Sequence, residues 1–259
     1  ATEHVLYMYD GGGWGGISSL SGFSASANFA VVGSTGVDYL NLNIDRSSEL
    51  TGNMTIAMGD GNDSLGAAKL KDGDSIDMGA GNDSVGIMLT GSNGTPSYAS
   101  LNITKLDGGA GTDTLSFGNI GSQGSTELTL THGGVTNFEN ISGTGGADII
   151  RGDAGNNVLI GDGGIDNIYG GAGNDTLWAG QFNHSGWSSA DTTDDNLYGG
   201  AGDDILRGSH GDNIIDGGAG RDQIINTGNG SDTIVIRSGS GGSTQTTADY
   251  HHQWNVDSG

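Results

Sequence analysis

The sequence predicts an all-β fold: a parallel β-solenoid that is regular in its second half and irregular but β-rich in its first. Three observations carry the prediction. A nine-residue repeat runs from Gly143 to Val235. Glycine supplies 53 of 259 residues and hydrophobic residues only 33%, against roughly 45–50% in an average soluble domain. Of 31 acidic residues only Glu3, Glu49, Glu127 and Glu139 are glutamate, leaving 27 aspartates. An acidic surface serving solubility alone would mix the two. A short carboxylate suits a side chain that acts close to its own backbone, in a tight turn or around an ion.

The nines are GTGGADIIR (143–151), GDAGNNVLI (152–160), GDGGIDNIY (161–169) and GGAGNDTLW (170–178). After an insertion come ADTTDDNLY (190–198), GGAGDDILR (199–207), GSHGDNIID (208–216), GGAGRDQII (217–225) and, one residue on, TGNGSDTIV (227–235). The fourth position is glycine in eight of the nine units. The sixth is always Asp or Asn: Asp148, Asn157, Asp166, Asp175, Asp195, Asp204, Asn213, Asp222 and Asp232. The eighth is always Ile or Leu, from Ile150 to Ile234.

Each part of the nine has a physical reason. Glycines accept positive φ, so the chain can turn sharply and expose carbonyls. The aspartate closes the turn with a hard oxygen donor. The last three residues place one apolar side chain between two outward ones, a minimal strand of period two. One unit buries almost nothing, so units must stack, with the Ile and Leu side chains as the core. Each nine is half a coil, and turns 18 residues apart fall on the same edge: Asp148 over Asp166, and Asp204 over Asp222.

Stacking brings carboxylates within roughly one strand spacing, about 4.8 Å, where they repel strongly once partly dehydrated. Eight Lys and Arg cannot cancel a net charge of −23. A divalent cation between stacked turns can. Hard carboxylate and carbonyl oxygens suit calcium better than zinc or magnesium, and the repeat offers no nitrogen or sulfur ligand.

The units resemble the calcium-binding nonapeptide of RTX proteins, G-G-x-G-x-D-x-U-x. Full matches are Gly170-Gly171-Ala172-Gly173-Asn174-Asp175-Thr176-Leu177, Gly199-Gly200-Ala201-Gly202-Asp203-Asp204-Ile205-Leu206 and Gly217-Gly218-Ala219-Gly220-Arg221-Asp222-Gln223-Ile224. The resemblance implies a right-handed parallel β-roll with several Ca2+ ions held between adjacent turns. It also implies export by type I secretion and an extracellular, cell-surface home. Asn157 and Asn213 depart from the pattern, and their turns are expected to bind more weakly.

Residues 1–142 read as an irregular β-solenoid or β-sandwich with degenerate units. MGDGNDSLG (58–66), MGAGNDSVG (78–86) and GGAGTDTLS (108–116) put Asp63, Asp83 and Asp113 in the ligand position. KLKDGDSID (69–77) and GSTGVDYLN (33–41) place Asp74 and Asp38 there more weakly. The alternative for these aspartates is a turn cap bonding local N–H groups. Residues 143–236 form the regular roll. Segments 87–107 and 179–189 are expected to be loops leaving the solenoid, and 237–259 a cap or tail.

Other functions find little support. Clustered Lys and Arg for nucleic acid are missing, as is any run of about 18 apolar residues for membrane insertion. Zero cysteines removes disulfides and thiolate metal sites. Neither H-E-x-x-H, nor G-x-S-x-G, nor a P-loop occurs, so no enzyme is expected; His251-His252 reads as a surface pair. The outward strand positions are too varied for a lattice-matching face, yet apolar enough to expect partial cover. Trp14, Trp178, Trp187 and Trp254 are candidates for that packing. The expected role is a calcium-folded module of a larger secreted surface protein, a surface layer or an adhesin, with neighbouring copies or a glycan as partner. The alternatives are the export module of an RTX exoenzyme (protease, lipase or epimerase) and the receptor-binding repeats of an RTX toxin.

Overall fold

The computed structural model describes residues 3–7, 15–17, 27–42, 52–68, 70–88, 104–118, 126–130, 134–180, 191–225 and 230–235. The tail 237–259, Trp14, Trp187, Trp254, His251, His252 and most of the 179–189 insertion lie outside the described residues. Every described element is a β-strand, and the paired strands run parallel. The chain divides into two units, residues 1–91, 97–118 and 130–140, and residues 92–96, 119–129 and 141–259.

The first unit contains β1 (Glu3–Tyr7), β2 (Gly15–Ile17), β3 (Asn28–Val32), β4 (Tyr39–Leu42), β5 (Met54–Ala57), β6 (Ser64–Ala68), β7 (Ser75–Asp77), β8 (Ser84–Met88), β9 (Lys105–Asp107) and β10 (Thr114–Gly118). After β11 (Thr126–Thr129), which belongs to the second unit, comes β12 (Val135–Thr136). Successive strands alternate between two sheets, β1-β3-β5-β7-β9-β12 and β2-β4-β6-β8-β10. This is a solenoid, not a sandwich. Its core is two columns in register, Val31-Ile56-Ile76-Leu106 and Leu40-Leu65-Val85-Leu115, all buried.

The expected loop over 87–107 is corrected at both ends. Ile87 and Met88 finish β8, and Lys105–Asp107 is a full rung with Leu106 wholly buried. A three-residue strand carries a single apolar side chain, too short a signal to separate from loop sequence.

The second unit continues from β11 with β13 (Asn140–Ser142), β14 (Asp148–Arg151), β15 (Val158–Ile160), β16 (Asn167–Ala172), β17 (Thr176–Trp178), β18 (Asn196–Ala201), β19 (Ile205–Arg207), β20 (Ile214–Ala219), β21 (Gln223–Ile225) and β22 (Thr233–Val235). Its sheets are β11-β14-β16-β18-β20-β22 and β13-β15-β17-β19-β21. The eighth-position side chains stack in register, Leu128-Ile150-Ile168-Leu197-Ile215-Ile234 on one sheet and Leu159-Leu177-Leu206-Ile224 on the other.

Outward positions also stack. Tyr169 and Tyr198 lie face to face at 4.9 Å, with the Arg151 guanidinium 4.3 Å from the Tyr169 ring centre. Arg207 covers Trp178 in the same way at 4.5 Å. Both faces of the Tyr169 ring are therefore taken within the sheet itself.

Candidate metal centre

Each strand triplet is preceded by a glycine-rich turn, and the turns stack into columns. The sixth-position side chains form the columns' inner rows, and all but Asp232 are buried. Beyond Asp148 and Asn157, one oxygen of each accepts the backbone N–H of the equivalent residue one coil earlier. Asp148 N–H donates to Asp166 Oδ1 at 2.8 Å, Asp166 N–H to Asp195 Oδ1 at 2.9 Å, Asp195 N–H to Asn213 Oδ1 at 2.9 Å and Asn213 N–H to Asp232 Oδ1 at 2.9 Å. The opposite edge runs Asn157 to Asp175 at 2.9 Å, Asp175 to Asp204 at 2.8 Å and Asp204 to Asp222 at 3.2 Å. In the first unit the row is Asp38, Asp63, Asp83, Asp113, with donor distances of 2.7–2.8 Å. Along these rows the N–H groups come from the neighbouring coil, whereas Asp38, Asp74, Asp148 and Asn157 cap their own turns, accepting the N–H of Ser34, Lys71, Thr144 and Asp153.

The second oxygen is the informative one. Asp63, Asp83, Asp113, Asp166, Asp175 and Asp204 each keep a buried Oδ2 with no hydrogen-bond partner, and Asp148 a buried Oδ1. An unpartnered carboxylate oxygen away from water is expensive. Burial pushes these carboxyls up from 3.8: Asp63, Asp113, Asp148, Asp175 and Asp204 to about 6, Asp195 to about 7 and Asp166 to about 9. Asp83 is raised as well. At Asp166 the charges of Asp195, Asp148 and Asp191 add to desolvation. A hard cation at the free oxygens would remove the need for a proton.

The glycines serve this arrangement in two ways. Gly170, Gly199 and Gly217 leave room for their own unit's carboxylate: a Cβ on any of them would stand 2.4 Å from the Oδ2 of Asp175, Asp204 or Asp222. Gly171, Gly200, Gly218 and Gly173, Gly202, Gly220 form two columns along the turn. Gly202, at φ +135, shows their role: a Cβ there would lie 1.9 Å from the Gly173 carbonyl oxygen of the preceding coil. Among the described residues no three Asp, Glu or His side chains converge on a single point. Any ion would therefore complete its shell with turn carbonyls, as calcium sites commonly do.

Asn213 reaches two such carbonyls. Its Nδ2 donates to Ser209 O at 3.0 Å and Gly211 O at 3.3 Å, the second- and fourth-position carbonyls of its own turn. The amide thus engages two carbonyl oxygens of the turn that its sixth-position side chain closes. Asn157 instead accepts from Asp153 N–H at 3.0 Å and donates to Asp153 Oδ1 at 3.3 Å.

Several participants were missed in the sequence. Glu139 ends the first unit's row, its Oε2 accepting Asp113 N–H at 2.7 Å. Its signal is Ile141 two residues on, the same offset that separates each aspartate from its core residue. Ser34 and Thr144 donate through both N–H and hydroxyl to Asp38 and Asp148 at 2.7–3.0 Å, satisfying the first rung of a row locally. The fifth position, read as variable, carries an exposed second row in which Asn62 and Asn82, Asn156, Asn174 and Asp203, and Asp194 and Asp212 accept the next coil's N–H at 2.7–3.0 Å.

With this geometry in place, the comparisons are specific. The RTX calcium-binding nonapeptide repeat matches the chain in four copies, over residues 105–119, 134–167, 152–183 and 189–224. No curated protein matches the chain. Repeats of this kind bind calcium, several ions per domain.

Proposed function

We propose that this chain, whose RTX repeats make calcium its cofactor, is a calcium-folded structural module of a type I-secreted cell-surface protein, a surface-layer protein or an adhesin, and acts without catalysis. The observation that carries the reading is the set of buried carboxylate oxygens with no partner in the protein. A chain of net charge −23 that buries such oxygens at pH 7 needs a counter-ion to coil. The residues that would hold it are Asp63, Asp83, Asp113, Asp148, Asp166, Asp175, Asp195, Asp204 and Asp222, with turn carbonyls completing each shell. Bound calcium supplies the positive charge that allows two carboxylates to stack dry.

Calcium that binds only the folded state stabilises it by about 1.4 kcal/mol per site at tenfold excess over Kd. About six sites then supply on the order of 8 kcal/mol, comparable with the stability of a whole domain. Extracellular modules bind at roughly 0.1–1 mM, so the chain stays unfolded in a calcium-poor cytosol and coils outside. Non-catalytic action is supported by the missing nucleophile and metalloprotease motifs, and by the engagement of the turn carboxylates with backbone amides. Far-UV circular dichroism during a calcium titration tests the folding step: β signal should be absent in chelator at pH 7.5 and develop cooperatively in millimolar calcium. A spectrum already β-rich in chelator and indifferent to calcium refutes it. Ordered two-dimensional arrays formed with calcium, seen by electron microscopy, would favour a surface layer, and binding of the isolated chain to cells an adhesin.

A further inference from the structure

The ninth position of the repeat points outward, and two successive rungs of one sheet place tyrosine there. Tyr169 and Tyr198 sit in near-identical runs, Asn167-Ile168-Tyr169-Gly170-Gly171-Ala172 and Asn196-Leu197-Tyr198-Gly199-Gly200-Ala201. Parallel pairing of β16 with β18 sets the two tyrosines side by side. The neighbouring Asn196 Nδ2 donates to Asn167 Oδ1 at 3.0 Å, a second side-chain tie in the same register. The rings stack 4.9 Å apart and 8° from parallel, close to the rung spacing itself. Parallel strands in register present like atoms to each other, so the Cε carbons of one ring face those of the next.

The stack is closed at both ends. The Arg151 guanidinium lies 4.3 Å from the centre of the Tyr169 ring, and the residue beyond Tyr198 in the column is the buried Asp216. Each tyrosine therefore has the other as its ring neighbour. Tyr7 and Tyr39, by contrast, stand opposite Val32 and Ser64. Tyr169 and Tyr198 are half-buried, and neither hydroxyl has a hydrogen-bond partner among the described residues. The coil between them is the longest of the regular roll: 29 residues separate the pair, against 18 from Arg151 to Tyr169 and from Tyr198 to Asp216. A covalent tie stabilises chiefly by restricting the unfolded chain, and more so for a longer loop. With no cysteine in the chain, a disulfide cannot supply that tie.

We propose that Tyr169 and Tyr198 form an oxidative cross-linking site, taking a peroxide as oxidant through a haem peroxidase, and that the bond staples the coil between them shut. Each phenol gives up one electron and its hydroxyl proton, leaving a radical shared by the oxygen and the Cε carbons. The two radicals join Cε to Cε. The hydrogen on each joined carbon then moves to the oxygen of its own ring, restoring both phenols. The pair loses two hydrogens in all, and one hydrogen peroxide is reduced to two waters. The rings reach bonding distance by tilting about the broad outer torsion of an aromatic side chain. The inference requires only the register of β16 and β18, and is independent of which ion folds the chain.

The test treats the full chain, dilute and in millimolar calcium, with a haem peroxidase and hydrogen peroxide. Dityrosine fluorescence should appear in the monomer band. The tryptic peptide Gly152–Arg207, which holds these two tyrosines and no other, should become two hydrogens lighter. Tyr169→Phe and Tyr198→Phe keep a stacked ring and lose the phenol, and each should cut the monomer's fluorescence severalfold. Oxidation should raise the guanidinium midpoint of the native chain and leave that of Tyr198→Phe where it was. A Gly152–Arg207 peptide of unchanged mass, fluorescence confined to dimers, or native fluorescence in both variants overturns the site, and an unmoved midpoint in the cross-linked chain overturns the staple. If neither variant folds, the peptide map of the native chain decides alone.

Discussion

The two turn edges of the second unit run along the same coils and solve the same problem differently. On one edge the second position reads Asp153, Gly171, Gly200 and Gly218, so the turns of the three full-consensus units are lined by backbone. On the other it reads Thr144, Asp162, Asp191, Ser209 and Gly228, so four of the five units carry a side-chain oxygen there. Thr144 and Ser209 use theirs to donate to Asp148 and Asp195. Even so, this second edge confines more charge: Asp166 and Asp195 are pushed to about 9 and about 7, against about 6 for Asp175 and Asp204. The coil itself therefore does not require glycine at the second position. Glycine is required where carbonyls of adjacent coils must come close.

The largest effect should come from breaking that close approach. Gly202→Val meets the Gly173 carbonyl oxygen and holds a β-branched residue at φ +135. It should cost roughly 3–4 kcal/mol, read as a shifted guanidinium midpoint in saturating calcium. The equivalent position on the other edge is Thr193, which is already a side chain. Thr193→Gly should cost only about 1 kcal/mol, the worth of its bonds to Gly164 and Asp191. Equal losses at the two positions would erase the distinction between the edges.

Protons sharpen the comparison next. Carboxyls raised above 3.8 in the folded state hold protons that the unfolded chain releases. Without calcium, stability is therefore fully present below about pH 4 and is lost as pH rises through about 6, then 7, and finally toward 9. In chelator the β signal should survive at pH 4 and vanish by neutrality. Asp166→Asn removes the most strongly perturbed charge. It should move the midpoint of that pH transition upward, a gain on the order of 2 kcal/mol at neutral pH, while in calcium it forfeits an ion. Asp175→Asn should move the midpoint less. A calcium-free chain that grows more stable between pH 4 and 7 would contradict the buried, unpartnered state of these oxygens.

Much of this was legible in the sequence, because a nine-residue period with glycine, aspartate and an aliphatic residue at fixed offsets fixes turn, ladder and core together. The 18-residue stacking of Asp148 on Asp166 followed from that period alone. The first unit was harder because its coils differ in length. Asp38, Asp63, Asp83 and Asp113 pair across 25, 20 and 30 residues, so no single period runs through them. Glu139 escaped because it is not an aspartate. What a periodic pattern cannot encode is which oxygen is left over. That depends on the neighbouring coil, and only three-dimensional stacking reveals that Asp63, Asp83, Asp113, Asp166, Asp175 and Asp204 each give one oxygen to an amide of the adjacent coil and keep the other free.

A smaller effect than at Gly202 concerns the neutral rungs, one on each edge. Asn213 donates to Ser209 O and Gly211 O, and also to Asp232 Oδ1 at 3.0 Å. Asn213→Asp turns all three donations into oxygen–oxygen contacts. Without calcium this should cost about 1–2 kcal/mol, seen as a lower pH for the loss of structure in chelator. With calcium the same oxygens become a cradle, and the variant should bind one ion more per chain by equilibrium dialysis. Asn157→Asp replaces a donor to the Asp153 carboxylate with a second carboxylate, so in chelator it too should lose structure at a lower pH than the native chain. If Asn213→Asp binds no additional ion, then the second- and fourth-position carbonyls are not what completes a calcium shell in these turns, and the ions must be held by oxygens on the outer face of the coil.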